Sequence, residues 1–168
     1  MKEFEYRYEL VGDMPFDLVI SKKYIEQVYS SVIGVNNSIV DNRIRKIEAD
    51  GNTIFYHTTK YNTITDGVRI EIESEISEQE YDSIFKTINK TPLRKNRYIV
   101  PLNNGLFAEI DEFIDKGISI IEVEFDSQEQ AELFEKSKPL FVGNKITKKL
   151  SFSKAIFSYV NLLKEKGV

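Results

Sequence analysis

Charged and apolar side chains alternate at two-residue spacing from the start of the chain, in Glu3-Phe4-Glu5-Tyr6-Arg7-Tyr8. In an extended strand, alternate side chains share a face. Glu3, Glu5 and Arg7 therefore line one surface, and Phe4, Tyr6 and Tyr8 the other. The spacing returns in Arg43-Ile44-Arg45, Arg69-Ile70-Glu71-Ile72-Glu73 and Lys95-Asn96-Arg97, and again in Glu109-Ile110-Asp111 and Glu122-Val123-Glu124. A strand from Thr53 closes on Lys60. Turn signals separate these runs at Asn36-Asn37-Ser38, Asp50-Gly51-Asn52, Asp66-Gly67 and Asn103-Asn104-Gly105. Together they predict a mainly antiparallel β protein.

Helices interrupt the strands. Ser77-Glu78-Gln79-Glu80 is a capping box, and Tyr81, Ile84, Phe85 and Ile88 follow it with helical period. Ser127 with Gln130 repeats the start signal before Ala131, Leu133 and Phe134, and Pro139 stops that helix. A third helix is predicted from about Ser153 through Leu163, and a short one near Phe16 to Ile20. There is no internal repeat, low-complexity segment or linker, so residues 1–168 are read as one domain.

Composition removes several functional classes. The net charge of −4 argues against a general nucleic-acid binder, which would be basic overall. Without cysteine there is neither a disulfide framework nor a thiolate metal site. His57 is the only histidine, and its parity opposes that of Lys60, which puts it on the outer wall. A metal held by this chain is then a hard cation on carboxylate oxygens: Mg²⁺, Mn²⁺ or Ca²⁺. No apolar run approaches the roughly 20 residues that span a bilayer. The acidic start at Glu3 and Glu5 is unlike a signal peptide, so a cytoplasmic location is expected.

Each alternating strand alone is explained by a half-buried sheet with one wet face. Repetition weakens that account. Wet faces normally mix in Thr, Ser, Gln and Asn, whereas here like-charged pairs recur almost undiluted. Adjacent like charges on one face repel, which suggests that something between them needs them. Carboxylate pairs bind divalent cations, and arginines and lysines bind phosphate oxygens. A polyphosphate–metal complex asks for both. The inner wall of a closed sheet would supply them, with the apolar residues outside under helices.

These residues, in this order, resemble the CYTH superfamily, the triphosphate tunnel metalloenzymes. That group covers thiamine triphosphatases, inorganic tripolyphosphatases and class IV adenylate cyclases. The opening Glu-x-Glu-x-Lys of the family matches Glu3, Glu5 and Arg7, with arginine where the family has lysine. The matches continue with Gln27-Val28-Tyr29, the pair Arg43 and Arg45, and Lys60. They go on through Arg69, Glu71 and Glu73, then Lys95, Arg97 and Tyr98, then Glu109, Asp111 and Phe113, and end in Glu122, Glu124 and Phe125. The family's late Arg-Tyr patch is missing, and Lys148 or Lys149 stands in its place after Ile146-Thr147.

The resemblance implies an α+β, mainly antiparallel β fold: an eight-stranded closed tunnel barrel with helices packed on the outside. It implies Mg²⁺ or Mn²⁺ held by Glu3, Glu5, Glu109, Asp111, Glu122 and Glu124. Arg7, Arg43, Arg45, Lys60, Arg69, Lys95 and Arg97 would grip the triphosphate, while Glu3, Glu5, Arg7, Glu71 and Glu73 form the catalytic set. Tyr29 is a further residue within reach of a substrate. The expected activity is metal-dependent hydrolysis of a triphosphate, inorganic tripolyphosphate being preferred because no added nucleoside-recognition segment is evident. The alternatives are a cyclase making cyclic AMP from ATP, and a non-catalytic binder of polyphosphate, nucleotide or RNA 5′-triphosphate ends. The expected partner is a small-molecule triphosphate, with no membrane and no other nucleic acid, in a monomer or homodimer.

Overall fold

In the computed structural model, residues 2–30, 40–63 and 68–146 are described, with side chains given for all of them except Lys2, Glu3, Val40, Asp41, Asn62 and Arg69. The predicted turns at Asn36–Ser38 and Asp66-Gly67, the helix from Ser153 to Leu163, and Lys148 and Lys149 lie outside these residues. Nine strands form the sheet: β1 (Lys2–Leu10), β2 (Ser21–Ser30), β3 (Val40–Ala49), β4 (Asn52–Asn62), β5 (Val68–Ile76), β6 (Leu93–Pro101), β7 (Phe107–Phe113), β8 (Ile118–Phe125) and β9 (Val142–Lys145). Among the described residues two α-helices accompany them, α1 (Glu78–Ile88) and α2 (Gln128–Ser137).

The sheet runs β5-β4-β3-β2-β6-β7-β8-β1-β9, and β1 pairs in addition with β5. All described pairings are antiparallel. The α+β, mainly antiparallel character is as the alternation predicts. The expected eight-stranded closed barrel needs correction, because there are nine strands among the described residues and the β1–β5 contact covers only Lys2–Phe4 against 68–70. The cause is crowding on one edge of β1. While β8 takes one edge from Phe4 to Glu9, β5 and the added strand β9 divide the other, β9 pairing at Tyr8 and Leu10. The sheet is therefore not sealed along its whole length.

Turn chemistry fixes the tight β3–β4 hairpin. Asp50 and Gly51 both hold positive φ, at 51° and 77°, as a two-residue type I′ turn demands. Around Asn103-Asn104-Gly105, where a hairpin signal stands, the chain makes a 3₁₀ turn between β6 and β7. Phe16–Leu18 is likewise a 3₁₀ turn and not an α-helix.

Both helices start where the sequence places them. The Ser77 side chain accepts from the Glu80 amide while Glu80 reaches back to the Ser77 amide, a complete capping box. Ser127 accepts from the Gln130 amide. The second helix ends at Ser137, with Lys138 extended as a residue before proline prefers.

The apolar sides of the strands are covered by these helices. Tyr8, Ile110, Ile121, Val123 and Phe125 pack with Ala131 and Phe134 of α2. Val28 and Ile44 pack with Tyr81, with Phe55, Ile84, Phe85 and Ile88 around them. Sheet alternation then leaves the charged residues to the opposite face.

Candidate functional site

A cavity of about 270 Å³ opens on that face, lined by seven acidic and seven basic side chains. Every strand from β1 to β8 contributes, and the contributors are the residues at two-residue spacing. Glu5 and Arg7 come from β1, Arg43 and Arg45 from β3, Lys60 from β4, and Glu71 and Glu73 from β5. Lys95 and Arg97 come from β6, Glu109 and Asp111 from β7, and Glu122 and Glu124 from β8. Glu3 and Arg69 face one another in register across β1 and β5, with side chains outside the description.

Within the cavity most of the charges neutralise each other in pairs and larger clusters. Arg7 donates to Glu5 at 2.9 Å and to Glu122 at 2.8 Å. Arg97 donates to the other Glu122 oxygen at 2.8 Å, holds both oxygens of Asp111 at 2.6 and 2.7 Å, and bonds Glu109. Lys95 reaches Asp111 at 2.5 Å. Lys60 contacts Glu71 at 2.6 Å and Glu5 at 3.8 Å. Arg45 bonds Glu73, whose carboxylate also accepts from Thr58 at 2.7 Å. Cross-strand register makes these partners: Arg7 lies opposite Glu122, Arg97 opposite Asp111, and Lys60 opposite Glu71.

These pairings move the proton affinities of their members. Burial disfavours the charged Arg7, but Glu122 and Glu5 outweigh it and raise its pKa. Burial would likewise push Glu122 up, and Arg7, Arg97 and Lys95 instead hold it well below the usual carboxylate range. Lys95 falls to about 8, chiefly through burial and then through Arg97, with Asp111 pulling the other way. Arg45 is lowered by burial and by Arg43.

Depth is graded across the site. Glu5, Arg45, Lys60, Lys95 and Asp111 are buried, whereas Glu124 is exposed and marks the mouth. Toward one end the same alternation brings apolar residues to this face: Phe113 and Ile120 line the cavity and pack with Tyr29, Leu93 and Ile118. Tyr29, expected to reach a substrate, does not line the cavity. It is buried in that apolar cluster, and its hydroxyl accepts from Gln27 at 2.9 Å. His57 does not line it either, and contacts Asn42 at 2.6 Å.

Lys23 and Tyr56 are lining residues that sequence reasoning missed. Tyr56 has the parity of Lys60, four residues later, which is a usable signal. Lys22-Lys23-Tyr24-Ile25 shows no alternation, and only the register opposite Arg97 places Lys23 on the charged face.

The donor chemistry fits a hard cation, since the acidic lining consists of carboxylate oxygens. Glu5, Glu109, Asp111 and Glu122 are each engaged by arginine or lysine. Among the described residues no three acidic or histidine side chains converge closely enough to hold an ion. An ion would therefore bind by displacing Arg7 or Arg97 from their carboxylates.

No family model matches the chain, and no curated protein matches it. Solved structures do. The PH1819 protein from Pyrococcus horikoshii OT3 is 22% identical, with a TM-score of 0.66 over 98% of this chain and 99% of that one. A Hippeastrum protein described as a putative adenylyl cyclase with dominant triphosphatase activity is 18% identical, with a TM-score of 0.60 over 94% and 96%. The inorganic triphosphatase NE1496 is 20% identical, with a TM-score of 0.53 over 88% and 87%. At such identities the likeness shows the fold alone, a mainly antiparallel sheet accompanied by helices. Among the described residues no helix is long and apolar enough to cross a membrane.

Proposed function

We propose that the chain is a metal-dependent triphosphatase acting inside a sheet that wraps into a tunnel. The observation that carries this reading is the charge-balanced cavity, in which as many basic as acidic side chains face a common space. Its basic residues suit a linear chain of phosphates and its carboxylates suit divalent cations. The seam between β1 and β5 supports the wrapped form.

In this reading Arg43, Arg45, Lys60, Lys95 and Arg97, with Arg7 and Arg69, hold the phosphates. Glu5, Glu109, Asp111, Glu122 and Glu124, with Glu3, hold Mg²⁺ or Mn²⁺. A bound divalent cation supplies an activated water and neutralises charge on the leaving phosphate. The chain's own residues position the phosphates and limit access of bulk water. Glu71 and Glu73, tied to Lys60 and Arg45, orient the groups that grip the substrate.

One observation favours a second reading, a binder without turnover. Arg7 stands where the resembling family has lysine, and its guanidinium donates to Glu122 and Glu5, carboxylates expected to bind metal. The test is a panel of tripolyphosphate, ATP, GTP, thiamine triphosphate and 5′-triphosphate RNA, each with Mg²⁺ and Mn²⁺. Orthophosphate without cyclic nucleotide supports hydrolysis, and cyclic AMP with pyrophosphate supports a cyclase. Metal-dependent binding with no product supports the binder. Normal turnover in both Glu5→Ala and Glu122→Ala would sink the cavity assignment.

A further inference from the structure

Gln27 stands on the inner face but outside the ion pairs of the cavity. It follows Lys23 and Ile25 at two-residue spacing on β2, and both of those line the cavity. It is 1% exposed, in a set of buried polar residues that is otherwise charged apart from Thr58. Its Nε2 donates to the Tyr29 hydroxyl at 2.9 Å, which anchors the carboxamide. Its Oε1 is buried and has no hydrogen-bond partner among the described residues.

Arg45 lies directly opposite Gln27 in the β2–β3 register, a relation that sets Cβ atoms roughly 4.5–5.5 Å apart. Its Nη2 bonds Glu73 and reaches Thr58 at 3.3 Å, whereas its buried Nε has no hydrogen-bond partner among the described residues. A buried acceptor and a buried donor therefore occupy opposed positions on one strand pair, each unmatched, and such groups are costly to leave so. Nε and Nη2 form one edge of the planar guanidinium. A second hold on that edge fixes the plane and leaves Nη1 for an oxyanion. A carboxylate at position 27 would hold Nε equally well but cancel the charge of Arg45. A carboxamide holds it and keeps that charge for phosphate.

We propose that Gln27 is a positioning residue: its Oε1 accepts from Arg45 Nε when a triphosphate occupies the cavity, and so presents Arg45 Nη1 to a phosphate oxygen. The assignment rests on the triphosphate reading of the cavity and adds a neutral residue to a charged site. Tyr29 acts one step further back. Its hydroxyl holds the carboxamide NH₂, so the oxygen does not rotate away from Arg45.

Calorimetric titration of the full chain with inorganic tripolyphosphate and Mg²⁺ tests this through a double-mutant cycle of Gln27→Met and Arg45→Met, with urea unfolding of each variant. Methionine keeps the length of glutamine without its acceptor. Gln27→Met is expected to weaken tripolyphosphate about tenfold when Arg45 is present, the loss of one hydrogen bond to a charged group. In the Arg45→Met background the same change should have an effect of about twofold at most, because the group it acts through is gone. Tyr29→Phe keeps its ring in the apolar cluster and should weaken binding in the same direction, again only when Arg45 is present. Should Gln27→Met fail to fold, Tyr29→Phe decides by the same comparison. Equal weakening in both backgrounds, the mark of a merely structural role, or no weakening in either overturns the positioning role while the charged cavity stands. Failure of wild type to bind tripolyphosphate overturns the triphosphate reading, and the Gln27 assignment with it.

Discussion

Arg7 and Glu122 face each other in register across β1 and β8, and the Arg7 Nε donates to a Glu122 oxygen at 2.8 Å. A second Arg7 nitrogen takes Glu5 at 2.9 Å, so one guanidinium ties two carboxylates. Arg7→Met leaves both without that partner in a largely closed site, and should cost about 3–5 kcal/mol of unfolding free energy. Arg7→Lys keeps the charge but loses the fork, and should cost about 1–2 kcal/mol. Urea unfolding ranks the two. If hydrolysis needs the family's lysine, Arg7→Lys also raises turnover despite its lower stability.

Divalent cations and the phosphate chain should bind together. The cavity is balanced in charge, so a triphosphate alone brings an uncompensated excess of negative charge, and an ion alone must compete with Arg7 and Arg97. Chelation with EDTA is expected to abolish phosphate release and to lower triphosphate affinity by about ten- to hundredfold. Calorimetry with and without Mg²⁺ reads the coupling, and equal affinities would refute it.

Lys95 is expected to make triphosphate binding pH-dependent. Its pKa in the fold is lowered to about 8, first by burial, so the folded chain releases this proton before the unfolded chain does. From pH 8 upward, toward the ordinary lysine range, the unfolded state binds more protons and the residue's destabilising effect fades; below 8 that effect is fully present. An incoming polyphosphate favours the ammonium. Binding at pH 8.5 should therefore take up a proton and weaken as pH rises. Titration in buffers of differing ionisation enthalpy detects the uptake, and Lys95→Met should remove it.

Gly143 in β9 marks a close approach. A Cβ there would stand 2.7 Å from Val11 Cγ2 and 3.1 Å from the Glu9 carbonyl oxygen. Gly143→Ala should cost about 1–3 kcal/mol. Amide exchange is expected to quicken first in β9 and the Tyr8–Leu10 part of β1, where the two strands pair.

Much of the site was legible because it is written in strand parity. Wherever charge alternated with apolar residues, as at Arg43 and Arg45 or Glu109 and Asp111, the two faces could be told apart without knowing which strands were neighbours. Lys23 escaped because a lysine and a tyrosine flank it, so parity carried no contrast and only pairing with Arg97 decides its face. Tyr29 shows the limit of parity from the other side: parity puts it on the inner face, but that face turns apolar toward Phe113 and Ile118. The four-residue β9, with a glycine inside, is too short for periodicity to register, and it is also what limits the β1–β5 seam.

The division of one β1 edge between β5 and β9 bears on how the chain reaches this state. β1 precedes all of its partners in the chain and pairs near residues 68–70, 120–125 and 142–145. Until those emerge, Glu5 and Arg7 lack the cross-strand neighbours that neutralise them, and Phe4, Tyr6 and Tyr8 lack cover. Such long-range pairing is slow to form. Docking of β1 is thus expected to be the last folding step, with a half-built, charge-lined sheet as its precursor.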